Sequence, residues 1–283
     1  MTDDVRRHLA LQRELGGNEV ILSSPLGSSR LAEGAAAPVT EHFPSRSSAP
    51  EPSSSPVAPP PDPAAVASGA APRKHWSVDA PSIPTEPGVL VPARPSAAPS
   101  EWTSLEEIAA SIAGCTRCFL CQGRKRTVPG EGNATARLMF VGEGPGQTED
   151  ETGRPFVGKA GELLTRMIEA IDLKREDVFI ANTVKCRPPQ NRKPLPDELA
   201  ACAPYLERQI ELVGPKVLVA LGATAAEALL GVKRSLTDLR GRVHSFRGTP
   251  LVVTYHPAAL LRNPNWKKPT WDDVRIARQL LDR

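Results

Sequence analysis

The sequence predicts an α/β fold: a single domain with a central, mostly parallel four-stranded sheet, helices on both faces and a long disordered N-terminal extension. Three observations predict it. Beyond Trp102, four short and nearly continuous apolar segments alternate with stretches of helical period, as strands buried on both faces and their crossover helices do. Of the 30 prolines, 17 fall between residues 21 and 100, so the segment before Trp102 is poor material for a packed core. The glycine-rich and polar motifs of the later region all follow the apolar segments, where an open α/β sheet opens its ligand crevice.

Residues 3–16 (DDVRRHLALQRELG) place Val5, Leu9, Leu11 and Leu15 among charges and end at Gly16-Gly17, which predicts a short amphipathic helix within residues 1–22. Such a helix is too short to stand alone, and it is expected to dock on a protein partner. Residues 23–102 are rich in Pro, Ala and Ser with few large apolar side chains, so burial cannot offset the entropy of ordering them, and a disordered linker is expected. The folded domain is expected over residues 103–283. It opens with a helix in TSLEEIAASIAGC, capped by Thr103 or Ser104 with Glu106 or Glu107 in its first turn, which delivers Cys115. Strands follow at 137–143, 177–184, 216–222 and 250–256. Helices are expected at 158–172, 197–212 and 223–231 and from about Thr270 to Leu281.

Charge and cysteine usage narrow the function classes. Residues 1–102 carry 8 Lys and Arg against 11 Asp and Glu, whereas residues 103–283 carry 27 against 21, so the domain is net basic and compatible with a polyanionic partner. No apolar run reaches eighteen residues and the N-terminus lacks a signal core, so no membrane role and a cytoplasmic location are expected. Five cysteines, an odd number, with CxxC spacing and no secretory context suit a metal site better than a disulfide framework. Cys115 and Cys118 form CTRC, while Cys186 and Cys202 lie far downstream; four thiolates from two places can close a tetrahedral metal site or hold an iron-sulfur cluster. Cys121 forms a second CxxC with Cys118 and stays open as a ligand on spacing alone.

The strand ends carry the remaining chemistry. The first ends in Gly142-Glu143-Gly144-Pro145-Gly146, the second at Asn182, the third at Gly222 and the fourth at His256-Pro257. GEGPG by itself is weak, since its spacing matches neither a dinucleotide nor a P-loop motif. Taken with GRPFVGKAGELL, ANTVKCRPP, HPAALLR and the four cysteines, however, it resembles the family 4 uracil-DNA glycosylases, the iron-sulfur branch of the uracil-DNA glycosylase superfamily. The likeness covers roughly residues 104–283 with every motif in order. It implies removal of uracil from DNA and a four-iron four-sulfur cluster held by Cys115, Cys118, Cys186 and Cys202, with Cys121 spare. It implies no nicotinamide, ATP or catalytic metal.

The chemistry that follows assigns roles. Uracil must be flipped out of the duplex into a pocket before its glycosidic carbon can be reached. Gly142, Glu143 and Gly144 would line that pocket, Phe156 would stack on the base, and the Asn182 amide would accept from uracil N3–H and donate to O4. Bond cleavage pushes negative charge onto uracil O2, and His256 is the candidate donor that meets it. Glu143 or Glu149 would orient or deprotonate the attacking water; the superfamily's better-known branch has an aspartate where this chain has Gly144, so the two glutamates remain alternatives. Lys159 is a poor Schiff-base nucleophile, so a monofunctional enzyme without strand cleavage is expected. Leu260 or Leu261 would enter the space left by the flipped base and Arg262 would touch a phosphate, while Arg124-Lys125-Arg126 and the loop from Arg187 to Lys193 would grip the backbone. The rival reading is a non-catalytic iron-sulfur or zinc module that binds DNA in replication, which leaves GEGPG, Asn182 and His256 without roles. A monomer is expected.

Overall fold

The computed structural model describes residues 75–93 and 102–283, which all belong to one compact unit. The amphipathic helix expected within residues 1–22, and most of the linker expected over 23–102, lie outside the described residues.

The α/β class holds, with seven strands rather than four. In chain order they are β1 (Pro87–Val91), β2 (Glu131–Gly132), β3 (Leu138–Gly142), β4 (Phe179–Asn182), β5 (Val217–Leu221), β6 (Val243–Phe246) and β7 (Thr249–Thr254), arranged as β1-β6-β7-β5-β3-β4-β2. The four expected strands are the central β7, β5, β3 and β4, all mutually parallel. The three additional strands extend the sheet at its edges: β2 pairs antiparallel with β4, β6 antiparallel with β7, and β1 parallel with β6. Each was hidden for a local reason. β2 is two residues long, β6 joins β7 through a short hairpin turn, and β1 sits in the proline-rich stretch read as linker. Part of that expected linker is therefore folded: Val89 N–H donates to His244 Nδ1 at 2.9 Å, and Trp76 is buried against the core.

The described helices are α1 (Leu105–Ala113), α2 (Gln147–Thr152), α3 (Lys159–Glu169), α4 (Pro196–Val213), α5 (Ala223–Leu230), α6 (Leu236–Leu239), α7 (Pro257–Arg262) and α8 (Lys267–Leu281). Ser104 caps α1 in a capping box with Glu107, one of the two pairings expected. Because successive strand residues face opposite ways, Phe140, Ile180, Val219 and Leu221 pack under α3 and α8, while Val141, Ala181, Ala220 and Val253 pack under α4 and α5. A third apolar cluster joins α1 to α4 through Ile108, Ile112, Leu120 and Tyr205, and it contains Cys186 and Cys202. Among the described residues no helix is long and apolar enough to cross a membrane.

Register decides where the site falls. Gly142 lies opposite Asn182, and Leu221 lies opposite Thr254, so the carboxyl ends of the four central strands finish level. The motifs that follow them therefore converge on one edge of the sheet.

Candidate active site

A cleft of about 380 Å³ opens at that edge, lined by Glu143, Gly144, Phe156, Asn182, Thr224 and His256 among others. Its volume lies in the range of small-molecule pockets. Asn182, the last residue of β4, is buried at 1% exposure, and its Oδ1 has no hydrogen-bond partner among the described residues. A buried acceptor left unpaired costs free energy unless a donor meets it. Gly142 makes room for it. A Cβ there would come within 2.4 Å of Asn182 Oδ1 and 2.5 Å of the Phe156 ring.

Phe156 is held in a left-handed conformation, φ +50°, which a bulky residue adopts only when its surroundings enforce it. Glu149 supplies much of the enforcement. Its Oε1 accepts from the N–H groups of Val157 and Gly158, both at 2.9 Å, and its Oε2 accepts from Gly146 N–H at 3.1 Å. Arg175 donates to the Pro155 carbonyl at 2.5 Å from the other side. The Phe156 ring ends 5.5 Å from the His256 ring, centroid to centroid.

His256 is the N-cap of α7, and its Nδ1 accepts from Ala258 N–H at 3.2 Å. The neutral ring therefore carries its proton on Nε2. Burial, and then the charge of Arg262, lower its pKa to about 4 against the opposing pull of Glu149, so the ring is neutral at physiological pH and is a donor without being a cation.

The two glutamates separate clearly. Glu149 spends both oxygens on backbone amides, whereas Glu143 accepts one bond, from Thr224 Oγ1 at 2.5 Å on Oε2. Thr224, at the start of α5, belongs to no motif of the sequence; its one signal there is its place two residues after the third strand end. Gly144 packs so that a Cβ would meet Val184 at 2.8 Å, so an aspartate here would have to displace the residue that precedes Lys185 and Cys186.

The other expected contacts divide. Leu260 is fully buried in the core under α3, which corrects its assignment as a wedge: its side chain is spent on packing against the core. Leu261 is 47% exposed on the same short helix, and Arg262 lines the cleft. Lys159 is exposed at the first position of α3, outside the cleft lining. In the basic run, Arg124 turns inward, donating to the Cys115 carbonyl at 2.8 Å and Cys186 Sγ at 3.2 Å, so it is no backbone grip. Lys125 pairs with Glu151 at 3.0 Å.

All five cysteines are free thiols and line one cavity with Ile112, Leu120 and Tyr205. Burial pushes the Cys202 thiol up to about 12 and raises those of Cys118 and Cys186. Three cationic residues line the same cavity: Arg117, stacked over the Trp102 and Tyr205 rings, Arg124, and the fully buried Lys185, whose Nζ donates to the Asn182 carbonyl at 2.9 Å and to Gln209 Oε1 at 2.6 Å. Burial lowers the Lys185 amine to about 8. Among the described residues no three His, Cys, Asp or Glu side chains are gathered as a single-ion site.

Residues 129–277 match the uracil DNA glycosylase superfamily, which defines the class of protein to which this fold and cleft belong. Two type-4 uracil-DNA glycosylases are similar over the same region. That of Thermotoga maritima is 50% identical over 183 residues, 63% of this chain and 95% of its own, and that of Sulfurisphaera tokodaii is 47% identical over 186 residues, 62% of this chain and 84% of its own. A type-5 uracil-DNA glycosylase of Thermus thermophilus is 36% identical over 151 residues, 46% of this chain and 68% of its own. The chain belongs to the type-4 uracil-DNA glycosylases.

Proposed function

We propose that this protein removes uracil from DNA as a monofunctional glycosylase, hydrolysing the N-glycosidic bond of a flipped deoxyuridine and leaving an abasic site for base excision repair. The observation that carries the reading is the buried, unpartnered Oδ1 of Asn182 in a cleft shared with Phe156 and His256. Uracil N3–H is the donor this oxygen lacks, and the amide nitrogen of the same side chain suits O4. Cytosine offers an acceptor at N3 and a donor at position 4, so it meets the amide with both polarities reversed.

Phe156 supplies the stacking face, in a strained loop that Glu149 holds. As the bond to the sugar breaks, charge gathers on uracil O2, and the His256 Nε2–H bond strengthens with it, which lowers the barrier without tightening ground-state binding. Glu143 is the water-orienting carboxylate in preference to Glu149, because Thr224 engages only one of its oxygens whereas backbone amides engage both of Glu149's. Leu261 is the wedge and Arg262 the adjacent phosphate contact.

The thiol-lined cavity fits an iron-sulfur cluster. Four thiolates around a cluster leave net negative charge, and Arg124 and Lys185 stand where that charge is balanced. Cys115, Cys118, Cys186 and Cys202 would hold it, with Cys121 as the fifth thiol of the same wall. When bound, the cluster supplies a covalent tie among the end of α1, the loop after β4 and α4; the residues of the cleft carry the chemistry.

The test is a uracil-containing oligonucleotide incubated with anaerobically purified protein, with iron and zinc measured on the same sample. Free uracil with the protein recovered unattached supports the enzyme, whereas tight binding without release supports the non-catalytic module. Cys186→Ser or Cys202→Ser should lose iron and brown colour. A colourless, zinc-loaded protein with full activity would overturn the cluster assignment.

A further inference from the structure

A second groove adjoins the cleft. It has a volume of about 450 Å³ and is lined by Phe119, Gln122, Arg187, Pro188, Pro189 and Gln190, together with Leu120 and Gly123. Pro188 lines both spaces, and the residues around it divide between them: Arg187, Pro189 and Gln190 face the groove, whereas Asn191 and Arg192 face the cleft. The segment from Arg187 to Arg192 is thus a ridge about one proline wide between the two.

The groove wall has the composition of a nucleobase site. Phe119 is 61% exposed, in a turn whose next residue, Leu120, is buried at 1% and anchors it. An aromatic ring held in water by a packed neighbour is a stacking face in waiting. Gln122 and Gln190 add two side-chain amides, which carry donors and acceptors for a base edge, and Arg187 adds a guanidinium.

The ridge is also rigid. Gln190 and Asn191 are consecutive non-glycine residues at φ +54° and +56°. Arg187 Nε donates to Asn191 Oδ1 at 2.8 Å, and Arg192 forms a two-point pair with Glu198 at 2.8 and 2.6 Å. A preformed wall of this kind loses little conformational freedom on binding.

We propose that this groove binds the base of the nucleotide next to the flipped deoxyuridine, stacked on Phe119, with Arg187 on the intervening phosphate. The DNA strand then straddles Pro188, with uracil in the cleft on one side and its neighbour in the groove on the other. The enzyme thereby holds two splayed bases, the first by hydrogen bonds and the second chiefly by stacking on its π-face. The proposal rests on the uracil reading of the cleft.

The experiment measures binding of a single-stranded oligonucleotide carrying a non-hydrolysable deoxyuridine analogue. The neighbouring nucleotide is either intact or abasic, the sugar and phosphate being kept, and each flank is tested in turn. For the wild type, removing the neighbour's base at one flank should weaken binding by about tenfold or more, the usual worth of a base stacked on an aromatic side chain. Phe119→Ala should weaken binding to the intact strand by a similar factor and leave the abasic strand unchanged, so that the two losses do not add. Phe119→Tyr should keep the difference. Phe119→Leu should lose it, and iron content confirms that the cysteine loop is intact in each variant. Equal weakening of both strands by Phe119→Ala, or an undiminished preference for the intact strand, overturns the proposal. The uracil reading fails separately, on wild-type protein that releases no uracil from the hydrolysable strand, while the binding cycle still reports on the groove.

Discussion

Replacing His256 by alanine isolates the step at which the base departs. With Nδ1 engaged by Ala258 N–H, one hydrogen bond, from Nε2, is at stake. Loss of a single preorganised donor to a developing oxyanion costs ~3 to 4 kcal/mol, or ~10²- to 10³-fold in rate. The same substitution uncaps the six-residue helix α7, at about 1 kcal/mol of stability, so melting must be measured alongside. His256→Asn keeps a capping oxygen, and it separates the two effects by restoring the cap more fully than the rate.

The assay is single-turnover uracil release from an oligonucleotide, with DNA affinity measured independently. His256→Ala should lose rate while affinity changes little. Equal loss of both, or a rate within threefold of wild type, refutes the assignment. The pH profile checks the charge state. A ring whose pKa is lowered to about 4 stays neutral until the pH falls through that value, so this residue should contribute no acid limb near 6.5. Removing His256 should also flatten part of the stability profile. An unfolded histidine takes up its proton near pH 6.5 and the folded one does not, so wild-type stability is lost as pH falls from about 6.5 towards 4.

Glu149→Gln puts an amide donor against backbone N–H groups that the carboxylate now accepts from. Uracil release should fall at least tenfold with the shape of the pH profile unchanged, whereas Glu143→Gln should remove the water-dependent step; the reverse pattern would exchange their roles. Asn182→Asp should lower uracil release and create weak cytosine release, and Asn182→Ala should lose the first without gaining the second; an aspartate variant with full uracil activity would move the base reader elsewhere. A chain beginning at residue 74 should melt with the full-length protein and release uracil from short oligonucleotides as fast. One beginning at residue 102 loses β1 and buried Trp76, and it should melt about 5–10 °C lower; equal melting would show that β1 adds nothing.

Much of this was legible from residues alone. Near-continuous apolar runs of four to six residues, alternating with stretches of helical period, are the pattern of a mostly parallel sheet covered on both faces, so the four central strands could be read directly. Asn182 and His256 stand at strand ends, where such folds place ligands, and Cys115, Cys118 and Cys121 stand in CxxC spacing; Phe156, in the loop before α3, and the widely separated Cys186 and Cys202 carry no such local signal and are gathered with the others by the fold. The edge strands were not. Edge pairing depends on a partner far away in sequence, as when β1 reaches β6 across 155 positions, and two to five residues carry too little periodicity to announce it.

The finer decisions belonged to tertiary packing. Leu260 and Leu261 are chemically identical neighbours, and only the seating of α7 against α3 turns the first into the core and leaves the second in solvent. Glu143 and Glu149 are likewise the same side chain in one glycine-rich segment. Their hydrogen bonding parts because the backbone N–H groups of Gly146, Val157 and Gly158 all turn to Glu149, while Thr224, brought from another strand end, takes one oxygen of Glu143. Sequence specifies which groups are available and how their own segment orders them. Which of two equivalent groups faces the substrate is decided by what packs against each from elsewhere in the chain, since burial and competing hydrogen bonds are properties of the assembled fold.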